Sequence, residues 1–254
     1  MVVEVQREGA ARVVVINRPE RKNALDPETL DALYQRANEL RRDPGVRGVV
    51  LTGAEGAGVF LSGGDLQALA GVRSEAAAKK MARQAHRAVD ALRALRVPLV
   101  AAVHGDAFGG GCELAAACDY RVCEEGVRFH WVQPRFAVTT GWGGTAHLLD
   151  LVPRGTVVRW LLASDPVTCA EAHAAGFVDE VVAPGEARRA AVAFIERVAR
   201  HPAEGSKTLL SLVRESVRLD GRMARALELA NFGRTWATTE HHEAVARFLA
   251  KRGK

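Results

Sequence analysis

The stretch PLVAAVHGDAFGGGCELAAACDYRV, Pro98 to Val122, decides the fold. Its apolar start reads as a strand, a glycine-rich turn follows, CELAAACD reads as a short helix, and YRVC returns to strand. A strand passing through a helix to another strand is a unit of a parallel sheet. Gly109, Gly110 and Gly111 follow the strand and open the helix, so their N–H groups point outward at its positive end.

The same pattern recurs upstream. ARVVVINRP (11–19) and VRGVVLTG (46–53) are β-branched runs ended by turn residues. Between them, Asp26 is placed as N-cap, Pro27 at the first helical position, and apolar residues follow at helical spacing. A further helix is expected from about Glu75 to Arg96, and short strands around YRVC and VRFHWV. Beyond GGTAHLLDLV (143–152) the chain reads as nearly all helix, broken by GFVDEVVAPGE (176–186), one last short strand. From about His201 it reads as continuous amphipathic helix, the kind of surface that packs on a neighbouring subunit. The expected class is α/β.

With 254 residues and 48% hydrophobic content, the chain can bury a full core. Its 35 Lys plus Arg exceed 30 Asp plus Glu, a formal charge of +5 that suits an anionic small ligand. The arginines are scattered along helices, with no zinc or RNP-type signature, which argues against nucleic acid. Cys112, Cys118, Cys123 and Cys169 have no C-x-x-C spacing, so neither a zinc site nor a disulfide frame is indicated, and a reducing compartment is expected. No run approaches the ~20 apolar residues of a membrane span, and MVVEVQREGA lacks a leader's apolar stretch. A cytoplasmic protein is expected.

Two segments carry chemistry. In FLSGGDL (60–66), Gly63 and Gly64 let the backbone approach a ligand with free N–H donors. Each glycine run taken alone is only a tight turn. Facing each other, the two would form an oxyanion hole, each donor worth about 3–4 kcal/mol of barrier. Glu113, in the first turn of the helix that Gly111 opens, either complements the helix dipole or lies near the carbon next to a bound carbonyl as a general base.

VINRPERKNALD, FLSGGDL, PLVAAVHGDAFGGGCELAAACDYRV, GWGGTAHLLDLVPRG, CAEAHAAGFVDEVV and TTEHHEAVARFLAKR occur in the order and spacing of the enoyl-CoA hydratase/isomerase (crotonase) superfamily, and the resemblance spans almost the whole chain. It implies a spiral of β-β-α units over residues 1–200. A helical trimerisation region over 201–254 would follow, in a homo-trimer or dimer of trimers. It implies an acyl-CoA thioester substrate, with no metal or redox cofactor. Gly64 and Gly110 match the positions whose N–H groups hold the thioester oxygen. Lys22, Asn23, Ala24 and Leu25 match the loop lining the CoA channel, and Ser62, Asp65 and Leu66 match positions beside adenine and pantetheine. Phe248 and Lys251 match a helix that reaches a bound CoA.

Glu113 matches one of two catalytic glutamates of the hydratases. The second normally follows the proline of a Q-P-E-like stretch, where VQPRF places Arg135. Arginine stays cationic and cannot take that role. The usual proline before the glycine turn is replaced by Thr140. Trp142, just before Gly143 and Gly144, would either fill part of an acyl pocket, favouring a compact acyl group, or serve packing.

Three readings of Arg135 follow. It pairs with a carboxylate on the acyl group of a malonyl-type or dicarboxylic acyl-CoA, making the protein a decarboxylase or a lyase on an acidic substrate. It pairs with Glu113 and holds it ionised as a single base. Or it turns to the surface, leaving a hydratase-like enzyme or a non-catalytic acyl-CoA binder. Thr139, Thr140 and His130 are the nearby polar candidates. His130 should face opposite to Phe129 and Trp131 on a strand, as a satisfied structural histidine.

Overall fold

The computed structural model describes residues 1–217, 219–236, 238, 239, 241 and 243. Two sheets organise it. The first is six-stranded, built from β1 (Val3–Glu8), β2 (Ala11–Ile16), β3 (Gly48–Gly53), β5 (Leu99–Val103), β7 (Tyr120–Glu124) and β10 (Glu180–Val182) in that order. β1 pairs antiparallel with β2, and every other pairing in this sheet is parallel. The second sheet holds β4 (Val59–Leu61), β6 (Asp106–Phe108), β8 (Arg128–His130) and the two-residue β9 (Val167–Thr168), the last antiparallel to β8.

Read along the chain, this is a spiral of β-β-α turns. β3 and β4 lead to helix α2 (Glu75–Arg93), β5 and β6 to α3 (Gly110–Ala117), and β7 and β8 to α4 (Gly144–Leu151). Each turn lays one strand in each sheet, and successive turns stack. β3 and β5 are buried along their whole length, as expected of parallel strands covered on both faces.

Local chemistry agrees with the sequence at α1 (Pro27–Arg42). Asp26 Oδ1 accepts from the Thr29 N–H at 2.8 Å and from its hydroxyl at 2.7 Å, and Pro27 needs no partner at the first position. α7 (Ala187–Ala199) covers one face of the six-stranded sheet, with Ala187, Ala191 and Ile195 against Val13, Val50, Val100 and Val122. The other face meets α1, α2 and the second sheet in the main core.

Several elements depart from the sequence reading. β1, β4 and β6 were not expected as strands. β9, too short to show a pattern, interrupts the region read as helix between α5 (Arg154–Ala163) and α6 (Cys169–Ala174). The stretch from His201 is not one continuous helix: α8 (Ala203–Ser216) ends before α9 (Gly221–Trp236) begins. Asp220, whose Oδ1 accepts from the Met223 N–H at 3.0 Å, starts α9 as a cap.

Arg214 fastens α8 to the core. Its Nε donates to Asp119 Oδ1 at 2.7 Å and Nη2 to Oδ2 at 2.5 Å, while Nη1 reaches the carbonyls of Arg93 and Leu95 at 2.8 and 2.6 Å, at the end of α2. Asp119 in turn accepts from the Leu99 N–H at 2.8 Å. Arg214→Ala leaves a largely buried carboxylate and helix-end carbonyls without their cation, and should cost about 3 kcal/mol in urea unfolding. A midpoint unchanged from wild type would show that Arg214 does not hold α8 in place.

Candidate active site

The two glycine turns meet because β4 and β6 are neighbours, so the chain leaves both strands on the same side. Gly63 has φ +86°, and a Cβ there would lie 2.7 Å from the Phe108 carbonyl oxygen and 3.0 Å from the Gly110 nitrogen. Only glycine allows that approach. A Cβ on Gly111 would lie 2.2 Å from the Leu61 carbonyl oxygen, so α3 docks directly on the β4 backbone. Among the described residues, the N–H groups of Gly64 and Gly110 have no backbone acceptor. Two neighbouring free donors, one in the first turn of a helix, can hold an oxygen that carries negative charge.

The stretches 22–25 and 62–66 are zipped together. The Leu25 N–H donates to the Gly63 carbonyl at 2.7 Å, the Asp65 N–H to the Leu25 carbonyl at 3.0 Å, and the Ser62 N–H to the Lys22 carbonyl at 3.2 Å. Lys22 and Asn23 both lie in the left-handed region, at φ 52° and 53°. Asn23 is fully buried, its Nδ2 within 3.2 Å of the carbonyls of Ala54, Val59 and Phe60. Ala24 and Leu25 are buried as well. Asp65 is buried, and its Oδ1 accepts from the N–H groups of Gln67 and Ala68 at 3.1 and 3.3 Å. Arg18 binds Asp65 Oδ2 at 3.2 Å, Asp26 Oδ2 at 2.8 Å and the Ala24 carbonyl at 2.6 Å. Burial would raise the Asp65 pKa, but the Ala68 N–H and the Arg18 guanidinium outweigh it and hold the carboxyl below its usual range. Asn23 and Asp65 thus shape this wall, while Lys22 and Leu66 are exposed on it and Ser62 is half-buried. Phe248 and Lys251 lie outside the described residues.

Glu113 is buried, at 3% exposure, and its carboxylate accepts four hydrogen bonds. Oε1 takes Gln133 Nε2 at 3.1 Å and the Gly141 N–H at 3.3 Å; Oε2 takes the N–H groups of Trp142 and Gly144 at 2.7 and 2.9 Å. A carboxylate offers about four lone-pair positions, and here all are used. Trp142 is buried at 7% exposure, and its indole packs beside the two glycine turns. A Cβ built on Gly110 would lie 2.3 to 2.6 Å from three carbons of the six-membered ring, and one on Gly64 would lie 3.8 Å from a fourth.

Arg135 lies away from this cluster. The turn Gln133–Phe136 ends in a left-handed Ala137, and the guanidinium lies over the end of α5, with Nη2 donating to the Ser164 carbonyl at 2.6 Å and Nε to its hydroxyl at 3.2 Å. Cations favour the C-terminal end of a helix. The Ser164 hydroxyl donates onward to the Trp131 carbonyl at 2.8 Å. The pairing of Arg135 with Glu113, one of the sequence expectations, is therefore replaced by a bond to a helix end. Thr140 shares a 2.6 Å hydroxyl–hydroxyl bond with Thr145 and accepts from its N–H at 3.3 Å, capping α4 in place of the glycine at its N-cap. His130 binds Asp106 Oδ2 at 2.9 Å and stacks on Phe108 at 4.2 Å, while Phe129 and Trp131 are fully buried. The four cysteines are buried free thiols. Burial pushes the Cys118 thiol up to about 12 and raises those of Cys112, Cys123 and Cys169.

Gln133, Ser164 and Arg18 escaped the sequence reading. Gln133 was visible in VQPRF, beside the position under scrutiny. The other two act through partners remote in sequence.

Comparison with known proteins completes the picture. The chain matches the family model for enoyl-CoA hydratase/isomerase over residues 6–254. It is 30% identical over 250 residues to a short-chain-enoyl-CoA hydratase of Clostridium acetobutylicum, covering 98% of this chain and 95% of that protein. It is 29% identical to a crotonyl-CoA hydratase of Syntrophomonas wolfei, with the same coverage. Among solved structures, Pseudomonas aeruginosa DspI superimposes with a TM-score of 0.93 at 32% identity, covering 98% of this chain and 94% of that one. An enoyl-CoA hydratase of Mycobacterium smegmatis gives 0.92 at 25% identity, covering 99% and 97%. With this sequence match, this spiral and these paired glycine turns, the chain belongs to the enoyl-CoA hydratase/isomerase family.

Proposed function

We propose that the protein is an acyl-CoA enzyme that holds the thioester oxygen between the N–H groups of Gly64 and Gly110 and stabilises the enolate form of the substrate. The observation that carries this reading is the pair of donors without a backbone acceptor, gathered where two glycine turns meet. The reaction belongs to the enoyl-CoA hydratase/isomerase class, with Glu113 as its single carboxylate and Arg135 in the place of a second. Lys22, Ser62 and Leu66 line the approach for CoA. The chemistry uses no metal or redox cofactor, since the N–H pair itself carries the charge that develops.

One feature favours a second reaction, decarboxylation of a malonyl-type acyl-CoA. All four lone-pair positions of Glu113 are taken, and Arg135 is bound at Ser164, so no acid–base pair stands ready to activate water. Loss of carbon dioxide needs none. The electron pair of the breaking C–C bond passes into the thioester enolate, carbon dioxide leaves, and the α-carbon then takes a proton from water.

We assign the working form as a homo-trimer or dimer of trimers in the cytoplasm. Support comes from the apolar side chains Leu209, Val213, Leu229, Phe232 and Trp236, all more than half exposed on α8 and α9. Among the described residues, no helix is long and apolar enough to cross a membrane.

Turnover of crotonyl-CoA and of methylmalonyl-CoA by wild type, Glu113→Ala and Arg135→Ala tests the reading. Arg135→Ala should keep activity within about twofold, because its guanidinium serves a helix end, while lowering stability by roughly 1–2 kcal/mol. Loss of activity on the carboxylated substrate alone would place Arg135 against the acyl group instead. Binding of CoA esters without turnover of either would make the chain an acyl-CoA binder.

A further inference from the structure

The loop from Pro134 to Gly141 runs along the surface, with Pro134 to Thr139 exposed and Thr140 and Gly141 half-buried. Trp142, next in the chain, is buried. The feature that draws the chain inward at this point is Glu113. Its carboxylate takes the N–H groups of Gly141, Trp142 and Gly144, three of four successive residues, and Gln133 braces it from the start of the same loop. Held this way, the indole lies over Gly110 and within reach of Gly64. The space beside both donors, where the carbons next to a bound carbonyl would lie, is therefore bounded by one aromatic ring. On the far side, a Cβ on Gly144 would lie 2.4 Å from Glu113 Cγ, so the loop cannot settle deeper.

We infer that Trp142 sets the size of the acyl group the site accepts, admitting short acyl thioesters and excluding long ones, and that Glu113 is the positioning residue that holds the indole there. This rests on the thioester reading above. Its content is separate: Glu113 acts on selectivity through the loop backbone, in the absence of any substrate. A carboxylate is required, because three converging N–H donors need an acceptor at each oxygen. Glutamine offers one acceptor and turns an NH2 group against the others.

Two measurements on the full-length protein test it. The first is hydrogen exchange of the Trp142 and Gly144 amides without ligand, where Glu113→Gln should exchange about tenfold or more faster than wild type. The second is binding of the unreactive saturated esters butyryl-CoA and octanoyl-CoA. Wild type should bind butyryl-CoA about tenfold or more tightly than octanoyl-CoA, the effect of overfilling a packed pocket. Trp142→Ala and Glu113→Gln should both erase that preference, and Trp142→Phe, with its smaller ring on an undisturbed loop, should give an intermediate ratio. If Glu113→Gln is too unstable to assay, the two tryptophan variants carry the test of selectivity. Unchanged amide exchange in Glu113→Gln, or an unchanged preference in Trp142→Ala, overturns the inference. Wild type binding both esters equally overturns it while leaving the thioester reading standing. Wild type binding neither ester overturns both.

Discussion

Gly110→Ala is expected to lower kcat/KM on any acyl-CoA the protein turns over by about 10²–10³-fold, the loss that follows when one oxyanion donor is misplaced. The new methyl group would have to occupy a point 2.3 Å from an indole carbon of Trp142. Trp142 cannot simply step aside, since its backbone N–H donates to Glu113 at 2.7 Å and the residue is buried. The first turn of α3 must give instead, and the Gly110 N–H turns with it. The double variant Gly110→Ala/Trp142→Ala removes the obstruction and should recover part of the loss. Steady-state kinetics on the substrate that turns over in wild type checks both, and a Gly110→Ala enzyme within threefold of wild type would contradict the role given to this donor.

Gly111→Ala should act on stability first, and on chemistry through it. A Cβ there would lie 2.2 Å from the Leu61 carbonyl oxygen and 2.9 Å from its carbon, both in the backbone of β4, where no side chain can rotate away. α3 would have to lift off the second sheet, separating the two glycine turns that define the site. Overpacking against a rigid partner costs roughly 3 kcal/mol, so the urea midpoint should fall with little change in slope. A midpoint equal to wild type would mean that α3 is free to shift, and that the site is less fixed than its packing indicates.

Much of the scaffold was legible from local chemistry. Asp26 and Pro27 mark the start of α1 by capping alone, and the β-branched run before Gly53 is a strand wherever it is read. The glycine turns were visible in the sequence, but each alone reads as a tight turn, and that they meet follows only from the pairing of β4 with β6. What escaped depended on distance. β4 is three residues long and β9 two, too short for a periodic signal, and each exists through its neighbours in the second sheet. Glu113 showed its place in the first turn of α3, but its partners come from residues 133 to 144, brought back by the fold. Arg135 stood out in the sequence as a departure from the family pattern. Its direction, however, was set by a left-handed Ala137 and by the end of α5, neither of which VQPRF announces.

The claim on which the rest depends is that the N–H groups of Gly64 and Gly110 hold a thioester oxygen. Isotope-edited infrared difference spectroscopy of butyryl-CoA labelled with ¹³C at the thioester carbonyl measures this directly on the bound ligand. In wild type the carbonyl stretch is expected at lower wavenumber than for the free ester, and in Gly110→Ala the displacement should shrink. A carbonyl band that binds to wild type at its free-solution position would contradict the account.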